Sequence, residues 1–259
     1  MYAKHGWDKI YARTRHGAQL RKVMQSDQKS GRKAISGYIK MNDENGMAHI
    51  PAVQAGQDTP AEPGILVLCT ANVCRSAMAA PLLARRLAAL GVTTPVRSAG
   101  MTRHGDPPHP EVISVMASYG IETAAHRSRV ACAADLALAT VVLAMSRENL
   151  RYAVTTAPAA WPRAFTLKEL IRRGEQIGPR PPDEPFSGWL ARAHAGRERM
   201  ALLGDSAEDD VADPAGGPRR AYADTARLLE RLVTRLAELG WAHTRPGPLP
   251  RRPRIRPVG

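Results

Sequence analysis

The chain of 259 residues holds only three cysteines (Cys69, Cys74 and Cys132), two phenylalanines, and 5% aromatic residues in all. Three thiols are too few for a disulfide framework and leave room for a reactive one in a reducing compartment. So sparse an aromatic set supplies no evident stacking platform for nucleic acid bases. No run of eighteen apolar residues occurs, so no transmembrane segment is expected. The opening MYAKHGWDKIYARTRHG is charged without an apolar stretch and does not read as a secretory signal, which makes the expected location cytoplasmic. The eight histidines are scattered, no Cys–His pair has ligand spacing, and no nucleotide-binding glycine pattern appears. Neither a metal nor a cofactor is therefore expected.

What the chain does have is an apolar fraction of 44% and an excess of Lys and Arg, 37 against 24 acids. The first suits a globular domain rather than wholesale disorder. The excess charge is unevenly spread. Residues 1–62 carry 10 basic and 6 acidic side chains, and Ala242–Gly259 holds five Arg, five Pro and no acid. So many prolines forbid a helix there and favour an extended chain. Such a tail suits nucleic acid, anionic lipid or an acidic partner, and equally a solvated end without any.

Three regions follow. Residues 1–62 are polar and basic, with one short helical stretch at Ile10–Met24 and a Pro/Gly-rich linker at Gln54–Gly64, and read as an N-terminal extension. Residues 63–241 alternate short apolar runs with helical periods, and 242–259 form the tail. Within the middle region, Ile65–Leu68, Thr94–Ser98, Ala139–Met145 and Arg163–Leu167 read as strands. Helices are expected from Met78 to Leu90, from Pro110 to Gly120, after Ser146 as N-cap, and from Tyr222 to Leu239. Pro81 inside the first of these should kink it or make its start irregular. Residues 174–204 interrupt the alternation and read as an insertion, broken at Pro179–Pro185 and helical over Trp189–Leu203. The fold class is thus α/β: a small, doubly wound parallel sheet of about four strands flanked by helices, with a helical insertion and basic extensions. Ligands of such sheets bind at the carboxyl ends of the strands.

Cys69 stands at such an end. It opens Cys69-Thr70-Ala71-Asn72-Val73-Cys74-Arg75-Ser76, a Cys-x5-Arg loop between a strand and a helix. A five-residue loop can turn successive N–H groups inward to make an anion nest, and the following helix adds its free N–H groups and dipole. Arg75 can close the ring with a bidentate fork. The same field stabilises the Cys69 thiolate, Ser76 can donate to the sulfur, and Asn72 tolerates a left-handed backbone.

The segment ILVLCTANVCRSAMAAPLL resembles the phosphate-binding loop of the low-molecular-weight protein tyrosine phosphatase family. Further resemblances follow in order: Val96-Arg97-Ser98-Ala99-Gly100, Gly105-Asp106-Pro107-Pro108-His109-Pro110, Gly120-Ile121 with His126-Arg127-Ser128-Arg129, Phe165-Thr166-Leu167, and Asp210-Val211-Ala212-Asp213-Pro214. The resemblance implies a metal-independent phosphatase acting on phosphorylated protein, above all phosphotyrosine, through a cysteinyl-phosphate intermediate. Cys69 would be the nucleophile, Arg75 the oxyanion clamp and Asp213 the general acid and then base. Thr70, Ala71, Asn72, Val73, Cys74 and Ser76 would form the phosphate-binding loop, with Ser98 and His126 supporting it. Cys74 is a candidate for a protective disulfide with Cys69, or else simple packing. Asp210 competes with Asp213 for the acid's role but is not followed by Pro.

This chain departs from the family pattern in places. Ala215-Gly216-Gly217 follows Pro214 where the family has an aromatic, Met101–His104 lacks one too, and Ala77 and Ala80 replace a Pro and a Glu. Three other readings stand beside the first. An arsenate reductase would need more relay cysteines than Cys132. A phosphoarginine phosphatase of the family would carry Thr at Val73. A non-catalytic phosphate- or nucleic-acid-binding module would rely on basic charge that lies outside the core.

Overall fold

A computed structural model describes residues 63–242; the expected helix at Ile10–Met24, most of the linker and nearly all of the tail lie outside them. Four strands form one sheet: β1 (Ile65–Leu68), β2 (Val96–Ala99), β3 (Val141–Ala144) and β4 (Ala164–Thr166), in the order β2-β1-β3-β4. Every pairing is parallel, with Leu68 opposite Ala99 on one side and Ala144 on the other. Parallel strands need crossovers, and helices supply them: α1 (Arg75–Ala89) between β1 and β2, α2 (Pro110–Ser118) and α3 (Ala133–Leu138) between β2 and β3, and α4 (Arg147–Thr156) between β3 and β4; α5 (Leu167–Ile177), α6 (Phe186–His194) and α7 (Arg219–Trp241) follow the last strand.

The continuous apolar strands bury both faces, as a two-sided sheet requires. Ile65, Val67, Val141, Leu143 and Phe165 point into one core with Met78, Leu83, Leu170, Trp189, Leu229 and Leu236. Leu66, Leu68, Val142, Ala144 and Ala164 point into the other, against Leu136, Leu150, Ala153 and Trp161. At about 25 cal/mol per Å² of apolar surface, each buried Val, Leu, Ile, Phe or Met among them contributes roughly 1.5–3 kcal/mol.

The helix after β1 runs from Arg75 to Ala89 with Pro81 inside it, and its N-cap residue, Cys74, supplies no side-chain cap. Two local expectations need correction. The insertion does not begin at Gly174, because α5 continues through that residue to Ile177. A Cβ on Gly174 would stand 2.8 Å from the Trp189 ring, so this glycine makes room for packing rather than ending the helix. The helical stretch read at Trp189–Leu203 is two pieces: α6 stops at His194, Gly196 turns the chain at φ 71°, and a short 3-10 turn covers Arg199–Leu202.

The insertion is fastened by Arg197, whose side chain is 1% exposed. Its guanidinium lies 3.9 Å from the Trp161 ring centre and 4.0 Å from that of Phe165. It donates to both Glu169 oxygens, at 2.7 and 2.9 Å, and to the carbonyls of Trp161 and Ala164.

Candidate active site

The loop that follows β1 leaves the carboxyl edge of the sheet and returns as α1. Cys69 Sγ lies 3.0 Å from Ser76 Oγ and accepts the Asn72 N–H at 3.2 Å. An N–H and a hydroxyl thus face the sulfur. Among the described residues, the backbone N–H groups of Ala71, Val73 and Cys74 donate to no protein acceptor. Unpaired loop amides of this kind, next to the start of α1, make an anion-binding nest.

Asn72 holds the loop's shape. Its φ is 56°, the one left-handed non-glycine backbone among the described residues. Its amide nitrogen donates to Ser76 Oγ at 2.8 Å and to Ser98 Oγ at 2.9 Å, and its amide oxygen accepts the Arg129 N–H. Its carbonyl accepts from His126 Nε2 at 2.7 Å, which sets that ring's tautomer. The structure therefore brings Ser98 and His126, far apart in the chain, onto one loop residue.

Gly100 closes against the same loop. A Cβ there would lie 2.9 Å from the Thr70 carbonyl oxygen and 3.0 Å from the Asn72 nitrogen. Gly100→Ala should push the loop by a few tenths of an ångström and lower kcat on the order of tenfold, with the far-UV circular dichroism unchanged. Unaltered kcat would show that the loop tolerates the shift.

Arg75 arches over the cradle with its side chain 6% exposed. Nη1 donates to the Val211 carbonyl at 3.1 Å, and Nη2 to Thr70 Oγ1 at 3.1 Å and to Asp213 Oδ2 at 2.5 Å. Its Nε is buried and has no partner among the described residues.

The four acids of the run from Glu208 to Asp213 separate by role. Asp209 is tied to Arg147 at 2.8 Å and to Arg172 at 2.7 Å. Burial alone would raise its pKa, but those bonds outweigh it and the net shift is downward. Asp210 accepts from the Arg147 N–H, at the start of α4, and from the Ser206 N–H. Glu208 pairs with Arg172 at the surface, 3.2 Å away. Asp213 alone of the four reaches the loop; its other oxygen accepts the Ala215 N–H at 3.1 Å.

Cys74 lies behind the loop, 4% exposed. Burial, then the nearby Asp213 and Cys69 charges, push its pKa up to about 12 against the pull of Arg75, so it stays a thiol at neutral pH. Cys69, Cys74 and Cys132 are all free, and Cys132 is exposed at the start of α3. Asn149, on α4, is a site residue that motif reading missed: its amide donates to Thr70 Oγ1 at 3.2 Å. Only its place five residues after the end of β3 could have hinted at it.

The fold and this loop define a phosphate-cradling cysteine enzyme. The family model described as low molecular weight phosphotyrosine protein phosphatase matches residues 64–184. A protein-arginine-phosphatase of Geobacillus stearothermophilus is 33% identical over 175 residues, spanning 67% of this chain and 93% of that protein. The low molecular weight protein-tyrosine-phosphatase Etp of Escherichia coli K12 is 34% identical over 136 residues, 50% of this chain and 88% of the relative. The crystal structure of a low molecular weight protein tyrosine phosphatase from T. tengcongensis superposes with a TM-score of 0.52 at 30% identity, over 68% of this chain and 99% of that one. The chain belongs to the low molecular weight phosphotyrosine protein phosphatase family, and it is a phosphatase of that type.

Proposed function

We propose that Cys69, Arg75 and Asp213 carry out the hydrolysis. The observation that carries this reading is the buried, unpartnered Arg75 Nε beside a cysteine whose sulfur already accepts an amide and lies against a hydroxyl. A buried guanidinium donor without an acceptor is costly unless an anion takes it in the working state.

In the first step the Cys69 sulfur attacks phosphorus in line, the S–P bond forms and the P–O bond to the leaving group breaks. Asp213 gives its proton to the departing oxygen. The loop amides and Arg75 hold the equatorial oxygens as charge spreads onto them. In the second step water attacks the thiophosphate, Asp213 takes a water proton, the S–P bond breaks and inorganic phosphate leaves. Ser76 stabilises the sulfur as it departs, and Asn72, Ser98 and His126 keep the loop in shape.

The Asp213–Arg75 contact suits a resting state in which the carboxylate covers the guanidinium until a phosphate displaces it.

For the substrate, phosphotyrosine on protein is our first reading: Val73 offers no hydroxyl to a guanidinium group. Phosphoarginine is the second, supported by the 33% identity to the protein-arginine-phosphatase and by Ala215-Gly216-Gly217, which presents no ring for stacking. A panel of phosphotyrosine peptide, phosphoarginine peptide and arsenate decides between them. We expect kcat/KM on the phosphotyrosine peptide to exceed that on phosphoarginine by about tenfold or more. The reverse order assigns the chain to the second reading, and arsenate reduction coupled to thiol oxidation would displace both.

Among the described residues no helix is long and apolar enough to cross a membrane. We take the enzyme to be cytoplasmic, in keeping with its three free thiols; recovery of the full chain outside the cell would overturn this. Residues 243–259 lie outside the described part. We assign the basic tail an acidic partner, and unchanged binding to acidic peptides after deletion of 243–259 would remove that assignment.

A further inference from the structure

Asn149 is fully buried, 0% exposed, in the first turn of α4. Its backbone N–H donates to Ser146 Oγ, and its Nδ2 reaches Thr70 Oγ1 at 3.2 Å and Met101 Sδ at 3.5 Å. Its Oδ1 is buried with no partner among the described residues. Thr70 Oγ1 also accepts from Arg75 Nη2 at 3.1 Å. A hydroxyl has two lone pairs and one proton. Two N–H donors occupy both lone pairs here, so the proton must leave in a third direction. Among the described residues no acceptor takes it.

We propose that Asn149 is a positioning residue, which holds the Thr70 hydroxyl as a hydrogen-bond donor to an oxygen of the bound phosphoryl group. This rests on the phosphate site proposed above and adds a donor to it. The location fits. Thr70 follows Cys69 directly, and the nitrogen it shares with Asp213 is Arg75 Nη2. An oxygen bound there would meet the Thr70 proton beside the guanidinium. Asn149 acts at one remove, because it fills the lone pair that would otherwise let the hydroxyl rotate away. The orphaned Oδ1 is a cost of this orientation, since burying an unpaired carbonyl is unfavourable.

The opposite amide orientation makes an opposite forecast. With Oδ1 facing Thr70, the hydroxyl proton would be spent on Asn149 and none would remain for the ligand. Asn149→Asp discriminates the two. A carboxylate must accept, so it would capture the Thr70 proton if Asn149 now donates, and would be a near-isosteric replacement if Asn149 now accepts.

The test uses the full chain, p-nitrophenyl phosphate as substrate and inorganic phosphate as inhibitor. Asn149→Ala should lower kcat on the order of tenfold, and Asn149→Asp on the order of a hundredfold, with KM moving less than about threefold. Phosphate inhibition should weaken in both. In a Thr70→Val background the Asn149→Ala loss should vanish, and in a Thr70→Ser background it should return. A purely structural role would leave that loss unchanged in every background. Wild-type kcat in Asn149→Asp, or an undiminished Asn149→Ala loss with Val at 70, overturns the proposal. If the Asn149 variants do not fold, the Thr70 pair decides: Val should fall about tenfold below Ser, and equality overturns it. Cys69→Ser is measured alongside. Turnover surviving in that variant removes the Cys69 mechanism on which this proposal rests, whereas its loss together with a fully active Asn149→Asp removes only the Asn149 link.

Discussion

Cys69→Ser is expected to abolish turnover of p-nitrophenyl phosphate, with a fall of roughly 10⁴-fold or more. The serine would sit in the same ring, held by the Asn72 N–H and Ser76. Its hydroxyl, however, ionises far less readily than a thiol, and the cradle cannot make up that difference at neutral pH. Binding should survive, because the loop amides and Arg75 are untouched. Inorganic phosphate should therefore still protect the variant against thermal unfolding. Asp213→Ala separates the two halves of the site further. It removes the group that protonates the leaving oxygen, worth about 10²–10⁴-fold in kcat. It also frees Arg75 Nη2 from its 2.5 Å partner, so phosphate should bind at least as tightly as before. A variant that loses turnover and keeps phosphate affinity supports the assignment of Asp213 as acid. Loss of phosphate affinity in step with turnover would instead make Asp213 part of the cradle. Turnover that persists in Cys69→Ser would end the covalent mechanism.

The second large effect concerns stability. Arg197→Ala should destabilise the domain by about 3 kcal/mol, because it takes the bidentate partner from buried Glu169 and leaves it only Arg173, 3.4 Å away. The lost stacking between Trp161 and Phe165 adds to this. Urea unfolding measures it, and a change under about 1 kcal/mol would mean that the insertion is held some other way. The same corner contributes a pH dependence. Burial first, and then the Arg197 and Arg173 charges, hold the His194 pKa below 6.5. The unfolded chain therefore takes up a proton there more readily than the folded one. This destabilisation is absent well above pH 6.5 and grows as the pH falls below it. Asp135 and Asp209 are held below 3.8, where the arginine bonds outweigh burial, so their contribution is full above that value and fades as the pH drops through their lower folded values. Replacing His194 by Gln should flatten the loss between pH 6.5 and 5.

Much of this was legible before any coordinates. The strands announce themselves as apolar runs, and Cys69 to Ser76 carries its chemistry in one continuous segment, so local pattern sufficed. Ser98, His126 and Asp213 came from the resemblance rather than from any local property, and the structure brings all three to the loop or its arginine. What escaped was set by tertiary contact. Gly174 opens the stretch read as an insertion, yet it lies inside α5 and serves the Trp189 ring packed on it. Asn149 and Arg197 look like ordinary surface residues in the sequence; only packing reveals one beneath the loop and the other between two rings. The acidic run before Pro214 could not be sorted by composition, because Asp209 and Asp210 are defined by arginines and a helix end about 40 to 60 residues away.

That tethering decouples two parts of the chain. Asp209 and Asp210 are moored to α4 and α5 just before the carboxylate that faces the loop. Whatever lies upstream, between α5 and this mooring, is mechanically insulated from the aim of Asp213. The stretch from Gly178 to Gly204 is itself fixed to the core through Trp189 and Arg197, so losing that anchorage would cost stability while the carboxylate keeps its aim.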